Sequence, residues 1–135
     1  MELVVQNSNV EMVHKYNSIE LKGWINQLEY IDREIDNFLN LYASDVVNDT
    51  MPKAIQYRFL KRKDENKHLY ETVLAYSESY YAKAMAPHDM ACDMVYLEEY
   101  NQLRKSYEYH LEKYRRVKDI LFSKALRKVH VDNAS

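Results

Sequence analysis

One glycine, two prolines and one cysteine are all that 135 residues hold of the residues that most sharply bend, break or staple a chain. So few turn formers leave little from which to build the many tight reversals of an all-β fold. A lone Cys92 excludes an intramolecular disulfide, and with it a small disulfide-stapled scaffold. No apolar run approaches the ~18 residues of a membrane span, and the opening MELVVQNSNV has neither the basic start nor the apolar stretch of a signal peptide. A cytoplasmic chain without membrane attachment is the expectation. There is no Gly-rich phosphate loop, no Ser or Cys beside an evident base, and no pair of carboxylates placed by motif. The expectation is therefore a non-enzyme with no catalytic residue, no metal and no cofactor.

What is present favours helix. Leu, Glu, Lys, Ala and Met are plentiful, and a chain of this length suits one domain with a sizeable core. Leu21, Trp24, Leu28, Ile31, Ile35, Phe38 and Tyr42 succeed one another at spacings of 3, 4, 3, 4, 3 and 4, the heptad seam of a coiled-coil-like helix. Ser8-Asn9-Val10-Glu11 fits a capping box, so the first helix is placed at about residues 9–43, with Asn17-Ser18 as a potential break. Thr50 and Pro52 open a second helix over about 52–84. Its seam runs through Ile55, Phe59, Arg62, Asn66, Leu69, Val73, Tyr76 and Tyr80. The Met85–Asp89 stretch, containing Pro87, ends it. A third helix over about 90–126 carries Tyr96, Leu97, Tyr100, Leu103, Tyr107, Leu111, Tyr114, Val117 and Leu121. The ends, 1–8 and 127–135, are read as flexible.

Short connections between long helices favour antiparallel neighbours. The fold class expected is therefore all-α, a single-domain, up-down-up antiparallel three-helix bundle spanning 1–135. In that register Arg62 falls near Glu112, with Asp32 or Glu29 as other candidate partners, and Arg62 with Asn66 forms a polar element that fixes the pairing.

Charge is near balance, at -2, but arranged in blocks. Residues 1–52 hold 3 basic and 9 acidic side chains, 53–67 hold 6 and 2, 68–103 hold 1 and 6, and 104–135 hold 9 and 4. The topology brings both basic blocks to one end. Lys53, Arg58, Lys61, Arg115, Arg116 and Lys118 are the candidate residues there for an acidic partner or a nucleic-acid phosphate backbone. Acidic residues of the first helix, Asp32, Glu34 and Asp36 among them, reach the same end and compete for those cations.

Two groupings invite a metal reading and are declined. Glu65 and His68 have the Glu-x-x-His spacing of di-metal bundles, but the second such pair is missing. Met85, His88, Met90, Cys92 and Met94 crowd soft donors together, and read better as adaptable filling at a hairpin end. The 13 tyrosines place Tyr70, Tyr76, Tyr80, Tyr96 and Tyr100 near Trp24, as core or as the wall of a ligand cavity. A second stripe on the second helix, Leu60, Tyr70, Leu74 and Tyr81, exceeds what one seam uses. It is the candidate apolar contact face for self-association or a protein partner.

Leu21, Trp24, Leu28 and Phe38-Leu39, together with Tyr114-Arg115-Arg116-Val117-Lys118 and Leu121-Phe122, resemble small uncharacterised all-helical bacterial proteins. The resemblance covers most of the three helices and implies a bundle. It brings no activity and no site residue. The functional expectation is a non-catalytic helical bundle mediating protein–protein interaction or self-association, with anion or nucleic-acid binding at the basic end as the alternative.

Overall fold

A computed structural model describes residues 2–43, 52–84 and 90–134, with side chains over 11–41, 52–80, 94–127 and at Val129. Among the described residues the chain is three α-helices with no strand: α1 (Glu2–Ala43), α2 (Lys53–Ala84) and α3 (Met90–Ala134). At ~1.5 Å per residue α1 and α3, of 42 and 45 residues, are rods of ~63 and ~68 Å.

Pro52 opens α2 as its position suggests. Its carbonyl accepts the N–H groups of Ile55 and Gln56 at 3.0 and 3.1 Å. The proline has no N–H of its own to leave unpaired there.

The outer ends of α1 and α3 differ from expectation. α1 begins at Glu2 and passes through Ser8, so the capping box starts no helix. Ser-x-x-Glu is also an ordinary one-turn spacing, and no Gly or Pro precedes it to stop propagation. For the same reason α1 is unbroken at Asn17-Ser18, and α3 continues from Arg127 to Ala134 instead of ending near 126. The ends read as flexible are helical at 2–8 and 127–134. The turn at 44–51 and the Pro87 turn at 85–89 lie outside the described residues, as do the side chains of Tyr42, Tyr81, Met85, His88, Met90 and Cys92.

Facing side chains give the topology. Asn66 meets Leu28, and Tyr80 meets Asn17 and His14, so α2 runs antiparallel to α1. Lys113 meets Glu65, and Tyr96 meets Tyr76, so α3 runs antiparallel to α2. A constant separation of 80 positions links Glu20 to Tyr100 and Glu34 to Tyr114, which makes α1 and α3 parallel. The protein is an up-down-up three-helix bundle.

The core has two apolar clusters. Ile31, Ile35, Ile55, Phe59, Tyr114, Val117 and Leu121 make one; Leu21, Trp24, Leu28, Val73, Tyr80, Tyr100 and Tyr107 make the other. The seam of α1 fills both, as its heptad spacing predicts. It also extends backwards through His14 and Asn17, both buried, at the same alternating spacing.

Candidate interaction surface

Between the two clusters lies a buried polar layer drawn from all three helices. The Asn66 amide donates to the Leu28 carbonyl at 2.8 Å, and its Oδ1 faces His110 Nε2 at 2.8 Å. The carbonyl oxygen can only accept, so His110 carries its proton on Nε2. Asn66 and His110 are 1% and 4% exposed, and one asparagine thus ties α1 to α3 through α2. Asn66 is buried and bonded across the helices, whereas Arg62, expected to share its network, bonds Glu65 instead. His110 falls on the same spacing as Leu103, Tyr107, Tyr114 and Val117, and that register is the one signal for it in the sequence, since its polar side chain interrupts the apolar stripe.

Burial holds the His110 imidazole neutral, with Lys113 assisting, and its pKa falls to about 4. The unfolded chain titrates this group near ~6.5, so between that pH and about 4 the unfolded state binds the additional proton. Stability from the neutral imidazole is complete above ~6.5 and is lost as pH falls through this window, by roughly 3 kcal/mol. Urea midpoints measured from pH 7 to pH 4 should drop accordingly, and His110→Gln should flatten the curve above pH 5. Equal slopes in the two proteins would show that His110 is not the titrating group. Glu34 and Glu65 act in the same direction at lower pH. Burial pushes each carboxyl up, but hydrogen bonds from Lys118, Tyr114 and Tyr30 on Glu34, and from Lys113 with the Arg62 charge on Glu65, leave both below the ordinary value.

A second polar group closes the Trp24 end. Tyr80, 1% exposed, accepts Asn17 Nδ2 at 3.1 Å, and its hydroxyl also meets His14 Nδ1. Glu20 receives both the Tyr100 hydroxyl and Arg104 from α3. Trp24 stacks on Tyr100 and Tyr107 at centroid distances of 5.2 and 4.8 Å. Tyr80 is in ring contact with Tyr76, Tyr96 and Tyr100, and Tyr76 with Tyr96, at 5.6 to 6.4 Å. All five tyrosines expected near Trp24 therefore lie in or pack against its cluster, and the Tyr70 hydroxyl also donates to Glu29 on α1 at 3.0 Å.

Part of the basic end is paired within the molecule. Lys63 pairs with Asp36, Lys118 with Glu34 at 2.7 Å, and Arg116 with Glu112 at 2.7 Å. Of the six candidate anion-binding residues, Lys53, Arg58, Lys61 and Arg115 are exposed and form no ion pair among the described residues. Arg62 pairs with Glu65 at 3.1 Å, one turn along its own helix, instead of with Glu112. Glu65 is held there because it also accepts Lys113 at 2.8 Å. Among the described residues the buried Arg62 Nε atom has no hydrogen-bond partner.

Glu65 thus faces α3 while His68 is exposed beside Asp64, so the Glu-x-x-His pair does not converge on one point. Among the described residues no three His, Cys, Asp or Glu side chains form a metal-holding group. An open groove of about 580 Å³ between α1 and α2 is lined by Glu29, Asp32, Arg33, Lys63, Lys67 and Glu71, above Asn66 and Leu28. Both functions of the Asn66 amide are already engaged.

The proposed apolar face on α2 does not form one exposed strip. Leu60 is exposed, Leu74 is half-buried, and Tyr70 packs against the Trp24 cluster. A more regular strip lies on α1, opposite its buried seam. Met12, Tyr16, Ile19 and Tyr30 are 52, 63, 68 and 52% exposed, in line with exposed Gly23 and Asn26. It escapes notice in the sequence because glycine and asparagine interrupt its apolar run.

No protein-family model matches the chain, and no curated protein and no solved structure matches it significantly. Among the described residues no helix is long and apolar enough to cross a membrane.

Proposed function

We propose that this is a non-catalytic helical-bundle protein that works by contact with another protein surface, and that the outward stripe of α1 is the contact face. One observation carries the reading: α1 has two heptad seams on opposite sides, one filling the core and one left in water. A row of Met12, Tyr16, Ile19 and Tyr30, each more than half exposed, is an arrangement that association removes from water. A cytoplasmic location and kinship with small all-helical bacterial proteins belong to the same proposal.

Anion or nucleic-acid binding is the second reading, favoured by the four exposed cations left without ion pairs, Lys53, Arg58, Lys61 and Arg115. It has less support, because Arg116 and Lys118 are paired with carboxylates of the bundle. Retention of RNA or DNA through these residues would weaken steeply with salt.

A photo-reactive phenylalanine analogue at position 19, in the cells that make the protein, tests the contact reading. Covalent adducts are expected at position 19 and not at the equally solvent-facing position 102 of α3. Absence of adducts at 19, or equal yields at both positions, contradicts the reading.

A further inference from the structure

Met12, Tyr16, Ile19, Gly23, Asn26 and Tyr30 follow one another at spacings of 4, 3, 4, 3 and 4, and all six are exposed. Gly23 is the odd member. Glycine weakens a helix relative to alanine, and no positive φ here requires it. A Cβ added at Gly23 would meet nothing within 4 Å. Among the described residues nothing therefore calls for the missing side chain. A second surface seated on the seam would call for it, since a bulky residue can then fill the gap.

Given the contact reading of α1 on which it rests, we propose that the occupant is a second copy of this chain, its α1 antiparallel to the first about a two-fold axis level with Leu21. Antiparallel helices in such a pair set the two kinds of seam position against each other. Ile19 of each copy then covers Gly23 of the other, Tyr16 meets Asn26, and Met12 meets Tyr30. A parallel pair would stack glycine on glycine and asparagine on asparagine.

Charge on the flank supports the same choice. Lys15 and Glu29 each precede a seam tyrosine and are exposed on one side of the stripe. In the antiparallel register Lys15 of each copy reaches Glu29 of the other, twice per dimer by symmetry, while exposed Lys22 meets Lys22 of the other copy once at the axis, so two attractions stand against one repulsion on this flank. A parallel register instead brings Glu29 towards Glu34 and Lys15 towards Glu20 of the second copy, so its repulsions equal its attractions in number. Glu29 uses only its Oε1 for Tyr70.

Sedimentation velocity on the full chain, on Lys15→Glu, on Glu29→Lys and on an equimolar mixture of the two variants tests the pairing. Both sites are exposed, and unchanged helical circular dichroism confirms that the variants fold. The wild-type chain should dimerise, and each variant alone should bind itself about tenfold more weakly, because two attractions become two repulsions. The mixture should recover wild-type affinity, since every 15–29 contact is again between opposite charges. A wild-type chain that stays monomeric up to roughly 1 mM overturns the proposal. So does a dimer that neither variant weakens, or a mixture no tighter than the variants alone. A monomer that still gives adducts at position 19 in cells removes the second copy and leaves the contact reading standing. A monomer without adducts removes both.

Discussion

Trp24→Ala should destabilise the bundle by about 3–5 kcal/mol, the range for truncating a large buried aromatic side chain. Trp24 is 6% exposed and sits on the seam of α1 between Leu21 and Leu28, both fully buried. Its ring stacks on Tyr100 and Tyr107, at interplanar angles of 18° and 19°. It is thus the main apolar link between the parallel pair α1 and α3 at this end of the molecule. Truncation removes the transfer free energy of the indole and leaves a cavity that three long, regular helices collapse into poorly. Against a total of about 5–15 kcal/mol for a domain of this kind, the loss is a large fraction of stability. Urea unfolding followed by circular dichroism measures it. Trp24→Phe should retain part of the stacking and lose distinctly less. A loss below about 1 kcal/mol for the alanine variant would mean that the indole is not packed as described.

Asn66→Ala is expected to lower stability by about 2–4 kcal/mol for a different reason. Two hydrogen bonds disappear, to the Leu28 carbonyl and from His110. The carbonyl keeps its place in the backbone ladder of α1. The His110 N–H is left buried without a partner, and that unmet donor accounts for much of the effect. Replacing Asn66 and His110 together by leucine removes donor and acceptor at once. The pair of changes should therefore cost well under the sum of the single changes, with a coupling of about 1–3 kcal/mol. A double variant as unstable as the sum would show that the two residues act independently. Retained stability with loss of a single well-dispersed set of amide resonances would show that the layer selects the register more than it holds the fold.

Much of the architecture is legible in the heptad spacing. Leu21, Trp24, Leu28, Ile31 and Ile35 announce a buried seam by apolar character alone, and Asn66 draws attention because it falls on such a seam. His14, Asn17 and His110 occupy equivalent positions but are polar. Their burial depends on partners from other helices, Tyr80 and Asn66, which no local pattern contains. Arg62 shows the complementary failure. Levels along a bundle identify which residues are near one another, but Glu65 on the same helix engages the guanidinium and leaves Glu112 to Arg116. The Ser8–Glu11 capping pattern marks no boundary, because no breaker precedes it.

The apolar contact face was sought on α2, where hydrophobic residues are dense, yet Tyr70 and Leu74 there are partly covered by the bundle. Exposure depends on which face the partners leave free. On α1 both partners lie on the inner side, so the outer side stays bare despite its lower apolar content. The stripe is therefore a consequence of topology as much as of sequence.

The outer face of α1 is best tested by placing the photo-reactive residue in turn at positions 12, 16 and 19 and at two aromatic positions away from the stripe, Tyr57 and Tyr109. Those two are 68 and 61% exposed, so exposure alone does not distinguish them from the stripe. Adduct yields at 12, 16 and 19 well above those at 57 and 109 are the predicted result. Yields that are equal across all five positions, or higher at 57 and 109, would contradict the assignment of α1 as the contact face.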